Sequence, residues 1–170
     1  LYAIGCDIFK PKAVERVAQI KKIKLKDALF SIICRDLSHI SDYTCQIDNP
    51  VFKLMKRNIP GPFTFILPAN NKVPKLFQGK RKTVGIRVPS NNIPLSIVYH
   101  LNHPIMTTSL PLENGKTEYI TDPEYIYEKY GKMVDAVIDG GFGNITPSTV
   151  VDCTESPYKI LRQGLGILTE

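Results

Sequence analysis

The chain has 170 residues, 43% of them hydrophobic and 22% charged, with a formal net charge of +6. That length suits one domain with its own core, and the composition is ordinary for a soluble globular protein. No apolar run approaches the roughly 20 residues that cross a bilayer, which excludes a membrane-spanning helix, and the charge favours polyanionic partners such as RNA, nucleotides or phosphate groups over a purely solubilising role.

Residues 1–6 read as the tail of a first strand; the opening LYAIGCD has no initiator Met, so further residues are expected before Leu1. Pro11 suits the first turn of a helix running to about Lys22, with Val14, Val17, Ala18 and Ile20 as its apolar stripe. LFSIIC at 29–34 reads as a buried strand, and 38–45 as a short helix capped by Ser38 or Ser41. Asn49-Pro50 opens another helix, which ends near Asn58 before Pro60-Gly61-Pro62. FTFIL at 63–67 is a strand, 73–77 a short turn or helix, and TVGIRV at 83–88 a strand. A helix over 93–102 and the strand PIMTT follow, then a helix over 122–130 with Asp122 as N-cap and Pro123 at its first position. VDAVID at 134–139 reads as a strand ending at Gly140-Gly141, and PSTVVDC and YKILRQG as the last two strands. The result is one α/β domain with a mixed, largely buried sheet.

TVGIRVPSN at 83–91 and PIMTTS at 104–109 carry the chemistry. Ligands of α/β domains bind beyond the carboxyl ends of strands. Arg87, Thr107 and Ser109 would then offer a guanidinium and hydroxyls to one crevice, a set suited to carboxylate or phosphate. Arg87 also has the alternative of a buried ion pair, for instance with Asp152. Basic residues cluster at Lys21, Lys22, Lys24 and Lys26, at Lys56 and Arg57, and at Lys80, Arg81 and Lys82. These clusters imply an electropositive surface around a cleft. Cys6, Cys34, Cys45 and Cys153 lack C-x-x-C spacing and read as free thiols of a reducing, cytoplasmic compartment.

Other patterns read as structural. There is no P-loop lysine motif, and GGFG at 140–143 reads as a turn before a phosphate cradle. His100 and His103 read as a solvated helix end, Cys34 as a core thiol, and Asp135 and Asp139 as solvated strand ends.

The ordered segments IKKIKLKDALFSIIC, KLMKRNIPGPFTFIL, KTVGIRVPSN, PIMTTS, PSTVVDCT and ILRQG resemble the YrdC family across nearly the whole chain. KTVGIRVPSN, TTSL and CRDLS look closest to the YciO branch. The resemblance implies a single YrdC-like α/β domain over 1–170, with a twisted mixed sheet, flanking helices and a concave basic cleft. It further implies relation to threonylcarbamoyl-adenylate synthesis from L-threonine, bicarbonate and ATP with Mg²⁺, which serves tRNA modification, and binding of double-stranded RNA. By motif position, Lys21, Thr83, Ser109 and Arg162 would face ATP, and Arg87, Thr107 and Ser148 would face threonine. Lys56, Arg57, Lys80, Arg81 and Lys82 are the candidate RNA contacts.

Two positions depart from the synthase pattern. The K-x-R pair keeps Lys21 but reads Ile23 at the Arg position; the S-x-N pair keeps Ser109 but reads Pro111 at the Asn position. Lys22 or Lys24 can replace the arginine by charge but not by planar geometry, and Asn114 is the nearby amide. Three readings follow: an RNA- and nucleotide-binding module, a threonylcarbamoyl-adenylate synthase, or an enzyme acting on already modified tRNA in the same cleft.

Overall fold

Alternation along the strands decides the architecture. A computed structural model describes residues 1–25, 30–77, 82–112 and 120–170. Seven strands form one sheet: β1 (Ala3–Asp7), β2 (Ser31–Ile33), β3 (Phe63–Pro68), β4 (Thr83–Arg87), β5 (Ile105–Ser109), β6 (Thr149–Asp152) and β7 (Lys159–Arg162). Their order is β1-β5-β2-β4-β3-β6-β7. The β2–β4 and β3–β6 pairs are parallel and the others antiparallel, so the sheet is mixed.

The register lines up one continuous apolar row. Met106 pairs with Ile32, Ile32 with Ile86, Ile86 with Phe65, and Phe65 with Val151. None of these five is more than 1% exposed. One residue along each strand lies a second row, Gly5, Thr107, Ser31, Gly85 and Ile66, which faces the other way. Apart from Ile66, that row is made of two glycines, a serine and a threonine. The sheet therefore buries one face in the main core and leaves much of the other open, which corrects the expectation of a largely buried sheet.

The helices are α1 (Pro11–Ile20), α2 (Leu37–Ser41), α3 (Asn49–Asn58), α4 (Asn92–Leu101) and α5 (Pro123–Tyr130), with a one-turn 3₁₀ helix at Lys75–Phe77. Val14, Val17 and Ile20 of α1, Leu54 and Met55 of α3, and Ile126 and Tyr130 of α5 join the main core. α4 lies over the opposite face, where Val98 packs with Ile33 and Ile105. Asp122 caps α5 by accepting from Glu124 N, as expected.

Two further expectations are corrected. The cap of α2 is Asp36, whose carboxylate accepts from His39 N at 2.8 Å; Ser41 instead bonds Leu37 O within the helix. VDAVID is not a strand. Its partly buried residues are Val134 and Val137, a spacing of three that cannot serve a ladder of period two. Asp135 there pairs with Arg16 at 3.2 Å.

His39 is 3% exposed, and its Nδ1 accepts from Arg35 N at 3.3 Å, which requires the neutral ring. Burial, then the Arg35 charge, hold the imidazole below its usual 6.5. The unfolded chain then binds the proton more readily. The contribution to stability is complete above pH 6.5 and is lost as pH falls below it. Urea midpoints at pH 7.5 and 5.5 should show this loss, and it should shrink in His39→Gln; an equal loss in both proteins would contradict it.

Candidate functional site

The open face of the sheet forms a cleft of about 320 Å³. Its floor is built from short side chains: Ala3, Ser31, Thr64, Gly85 and Thr107. Gly85 has a physical reason. A β-carbon there would lie 3.3 Å from Thr64 Cγ2 and 3.5 Å from Ser31 Cβ, closing the floor between neighbouring strands.

Six of the residues singled out by sequence line this one cleft: Thr83, Arg87, Thr107, Ser109, Ser148 and Arg162. The seventh, Lys21, reaches it from α1, its Nζ donating to Ser109 O at 2.6 Å. The end of α1 explains that placement. Lys22 adopts φ 54°, Lys22 N bonds Gln19 O, and Ile23 N bonds Ala18 O. This is a Schellman stop, in which the residue after the left-handed position is commonly apolar. Ile23, at the position where the resemblance expects arginine, is thus the helix-terminating residue, and Lys21 is the last cation before the turn. Burial lowers the Lys21 ammonium below its usual value.

Arg87 is the electrostatic centre. Its Nε is sealed from solvent and has no hydrogen-bond partner. Among the described residues it forms no ion pair, and the suggested pairing with Asp152 does not occur; Asp152 Oδ1 instead accepts from Thr154 N and Oγ1. Burial, and then the nearby Arg162 charge, push the Arg87 guanidinium below its ordinary value. It stays a cation. A buried donor without an acceptor is costly unless a ligand supplies one.

The hydroxyls are positioned in pairs. Ser31 Oγ donates to Thr107 O at 3.2 Å and lies 3.4 Å from Thr107 Oγ1. Thr64 Oγ1 lies 2.9 Å from Ser148 Oγ. Arg162 donates from Nε and Nη2 to Ser148 O at 3.1 and 2.8 Å. Gly164 makes that clamp possible, because a β-carbon there would strike the backbone of Pro147 and Ser148. Sequence reasoning missed Ser31 and Thr64. Their signal was a hydroxyl residue inside each apolar strand segment.

Among the described residues, no carboxylate and no histidine lines the cleft. Hydroxyls without a base partner are not set up as nucleophiles. The arrangement suits binding and electrostatic stabilisation of anionic groups. Among the described residues no cluster of His, Cys, Asp or Glu is fit to hold a metal. The four cysteines are free. Burial raises the Cys34 thiol, and burial with Asp152 raises Cys153 to about 12, so neither is a reactive thiolate. His103 is not a solvated helix end: its Nε2 sits 3.7 Å from Asp7 Oδ2 and its ring packs edge-on to Phe9. GGFG is a turn, with Gly141 at φ 80°.

The candidate RNA contacts divide. Lys56 and Arg57 are exposed in the last turn of α3, and Lys82 is exposed just before β4. Lys80 and Arg81 lie outside the described residues, as do Lys26 and Asn114. Gly61 N bonds Val88 O past one end of β4, and Ala69 N bonds Lys82 O at the other. Six residues of strand separate those points, or about 20 Å. Lys56 and Arg57 therefore flank one end of the sheet and Lys82 the other. They do not form one patch.

Comparison with known proteins adds to this geometry. The family model Sua5_yciO_yrdC, described as "Telomere recombination", matches residues 1–164. YciO of Escherichia coli K12 is 42% identical over 97% of this chain and 79% of its own length. The crystal structure of E. coli YciO superposes with a TM-score of 0.88, covering 98% of this chain and 80% of that one. A threonylcarbamoyl-AMP synthase of Pyrococcus abyssi is 30% identical over 96% of this chain. The chain spans only 48% of that relative's length. The structure of P. abyssi Sua5 complexed with L-threonine matches with a TM-score of 0.85 at 29% identity, covering 96% of this chain and 48% of that one.

Proposed function

The chain belongs to the Sua5/YciO/YrdC family, and on that premise we propose that its cleft binds L-threonine and a nucleotide in the service of threonylcarbamoyl chemistry on tRNA. The observation that carries this reading is the buried, unpartnered Nε of Arg87. A guanidinium held this way can grip an amino-acid carboxylate in a bidentate pair. Thr107 and Ser148, already held by Ser31, Thr64 and Arg162, offer hydroxyls to the ammonium and side chain of threonine. A relative described as complexed with L-threonine supports the same assignment.

Lys21, Thr83, Ser109 and Arg162 are then the contacts for nucleotide phosphates. Among the described residues, the cleft offers them cations and hydroxyls but no carboxylate. Any Mg²⁺ would be held by the phosphates themselves, with waters completing its shell. Catalysis in such a site rests on orienting the reactants and neutralising developing charge, with no covalent enzyme intermediate.

We favour a binding role, or action on threonylcarbamoylated tRNA, over efficient adenylate synthesis. Ile23 ends a helix and cannot grip a phosphate, and Pro111 has no side-chain amide. RNA is the macromolecular partner that the charge of +6 favours. Lys56, Arg57, Lys80, Arg81 and Lys82 are its proposed contacts, engaging the backbone from two ends of the sheet. Calorimetry with L-threonine and with ATP·Mg²⁺ tests the cleft. Saturable threonine binding is expected, together with ATP binding that Lys21→Ala weakens about tenfold, the loss of one charged hydrogen bond. Threonine-dependent pyrophosphate release that Lys21→Ala abolishes would instead establish a synthase. Absence of any threonine binding would sink the assignment.

A further inference from the structure

The loop at 139–145 has no role in the fold's core, yet it is firmly built. Tyr2 OH donates to Gly141 O at 2.8 Å and accepts from Gly140 N at 3.1 Å. Asp139 Oδ1 takes Gly141 N at 2.8 Å, and Gly143 N bonds Thr121 O at 2.8 Å. The Tyr2 ring fills the space beside Gly143, where a β-carbon would meet it at 3.0 Å. Three backbone donors of the loop are thus engaged, which leaves little for a phosphate cradle. What the loop presents is a ring: Phe142 is 81% exposed.

The position of the loop gives that ring a meaning. Tyr2, which anchors the loop, lines the cleft, as do Pro147 and Ser148 just after it. The same cleft is lined by Arg87 and Arg162 and reached by Lys21, cations with no carboxylate partner among the described residues. A flat apolar surface beside a phosphate-binding cleft matches a nucleotide, whose base stacks while its phosphates meet the cations. Resting on the nucleotide reading of the cleft, we propose that Phe142 is a stacking platform for a purine base whose phosphates reach Lys21 and Arg162. The base can come from a free nucleotide or from an unpaired nucleotide of RNA, since the stacking chemistry is shared.

The test compares wild type with Phe142→Ala and Phe142→Trp, using ATP, inorganic tripolyphosphate, a short oligoadenylate and L-threonine as calorimetric probes. Phe142 is exposed, so Phe142→Ala should fold with an unchanged melting temperature. It should weaken binding of the base-bearing probes by roughly 5- to 100-fold, with Phe142→Trp restoring it. Tripolyphosphate and threonine should bind as before. Loss confined to ATP assigns a free nucleotide; loss confined to oligoadenylate assigns an RNA base. Affinity for both base-bearing probes within about twofold of wild type overturns the inference. So does a wild-type protein that binds threonine but neither base-bearing probe, an outcome that leaves the threonine site standing. A wild-type protein that binds none of the four probes retires the cleft assignment itself.

Discussion

Arg87→Met is expected to raise the melting temperature of the ligand-free protein while abolishing its response to L-threonine. The side chain sits among strand residues with its Nε cut off from solvent and unbonded. Holding that charge there costs stability, and burial lowers its pKa as the same cost expressed in protons. Methionine keeps much of the volume and removes the charge; such exchanges at buried ionic groups are neutral to stabilising by about 1–4 kcal/mol. For a domain of this size each kcal/mol is worth about 2–4 °C. Binding should move the other way. Losing a bidentate carboxylate grip costs about 2–5 kcal/mol, or roughly 30-fold and more in affinity. Arg87→Lys should recover only part of it, because an ammonium lacks the planar fork. Thermal shift with and without threonine reads both effects. A variant that melts earlier yet keeps its threonine shift would make Arg87 a structural residue.

Phe65→Ala should be the most damaging single change in the sheet. Phe65 lies in the apolar row, between Ile86 and Val151, and stacks with Phe63 at 5.8 Å. Truncation leaves a cavity under the cleft floor and should cost about 3–5 kcal/mol. The preceding residue, Thr64, faces the cleft and should tolerate alanine with far less loss of stability. Urea denaturation of the two variants measures the contrast. A Phe65→Ala cost near that of Thr64→Ala would mean that the two faces of β3 are not buried as described.

Much of the fold was legible because it is written in local chemistry. Pro11, Pro50 and Pro123 open helices where proline costs no hydrogen bond. FTFILP alternates its buried and cleft-facing residues with period two. VDAVID misled for a related reason: its composition favours a strand, but its partly buried valines sit three apart. Asp36 was passed over as a cap because two serines stood close by, and only the backbone trace shows which side chain reaches His39 N. The candidate site was legible as a set of residue types, and the family resemblance supplied their grouping. Ser31 and Thr64 escaped notice because a hydroxyl in an apolar strand is meaningful only once its neighbour across the sheet is known.

By itself the sequence determined the element types apart from VDAVID, the basic character and the membership of an α/β family, all of which depend on residue order and composition. Tertiary structure alone decided that Thr107, Ser31 and Gly85 share a face one residue removed from the apolar row, since register is a property of paired strands. It also decided that Arg87 has no ion pair among the described residues rather than joining Asp152, that Lys56 and Lys82 stand at opposite ends of the sheet, and that the loop carrying Phe142 is tied to Tyr2, a residue of the cleft wall. Each is a relation between residues far apart in the chain, set by how strands pair and where burial leaves a charge or a ring without a partner.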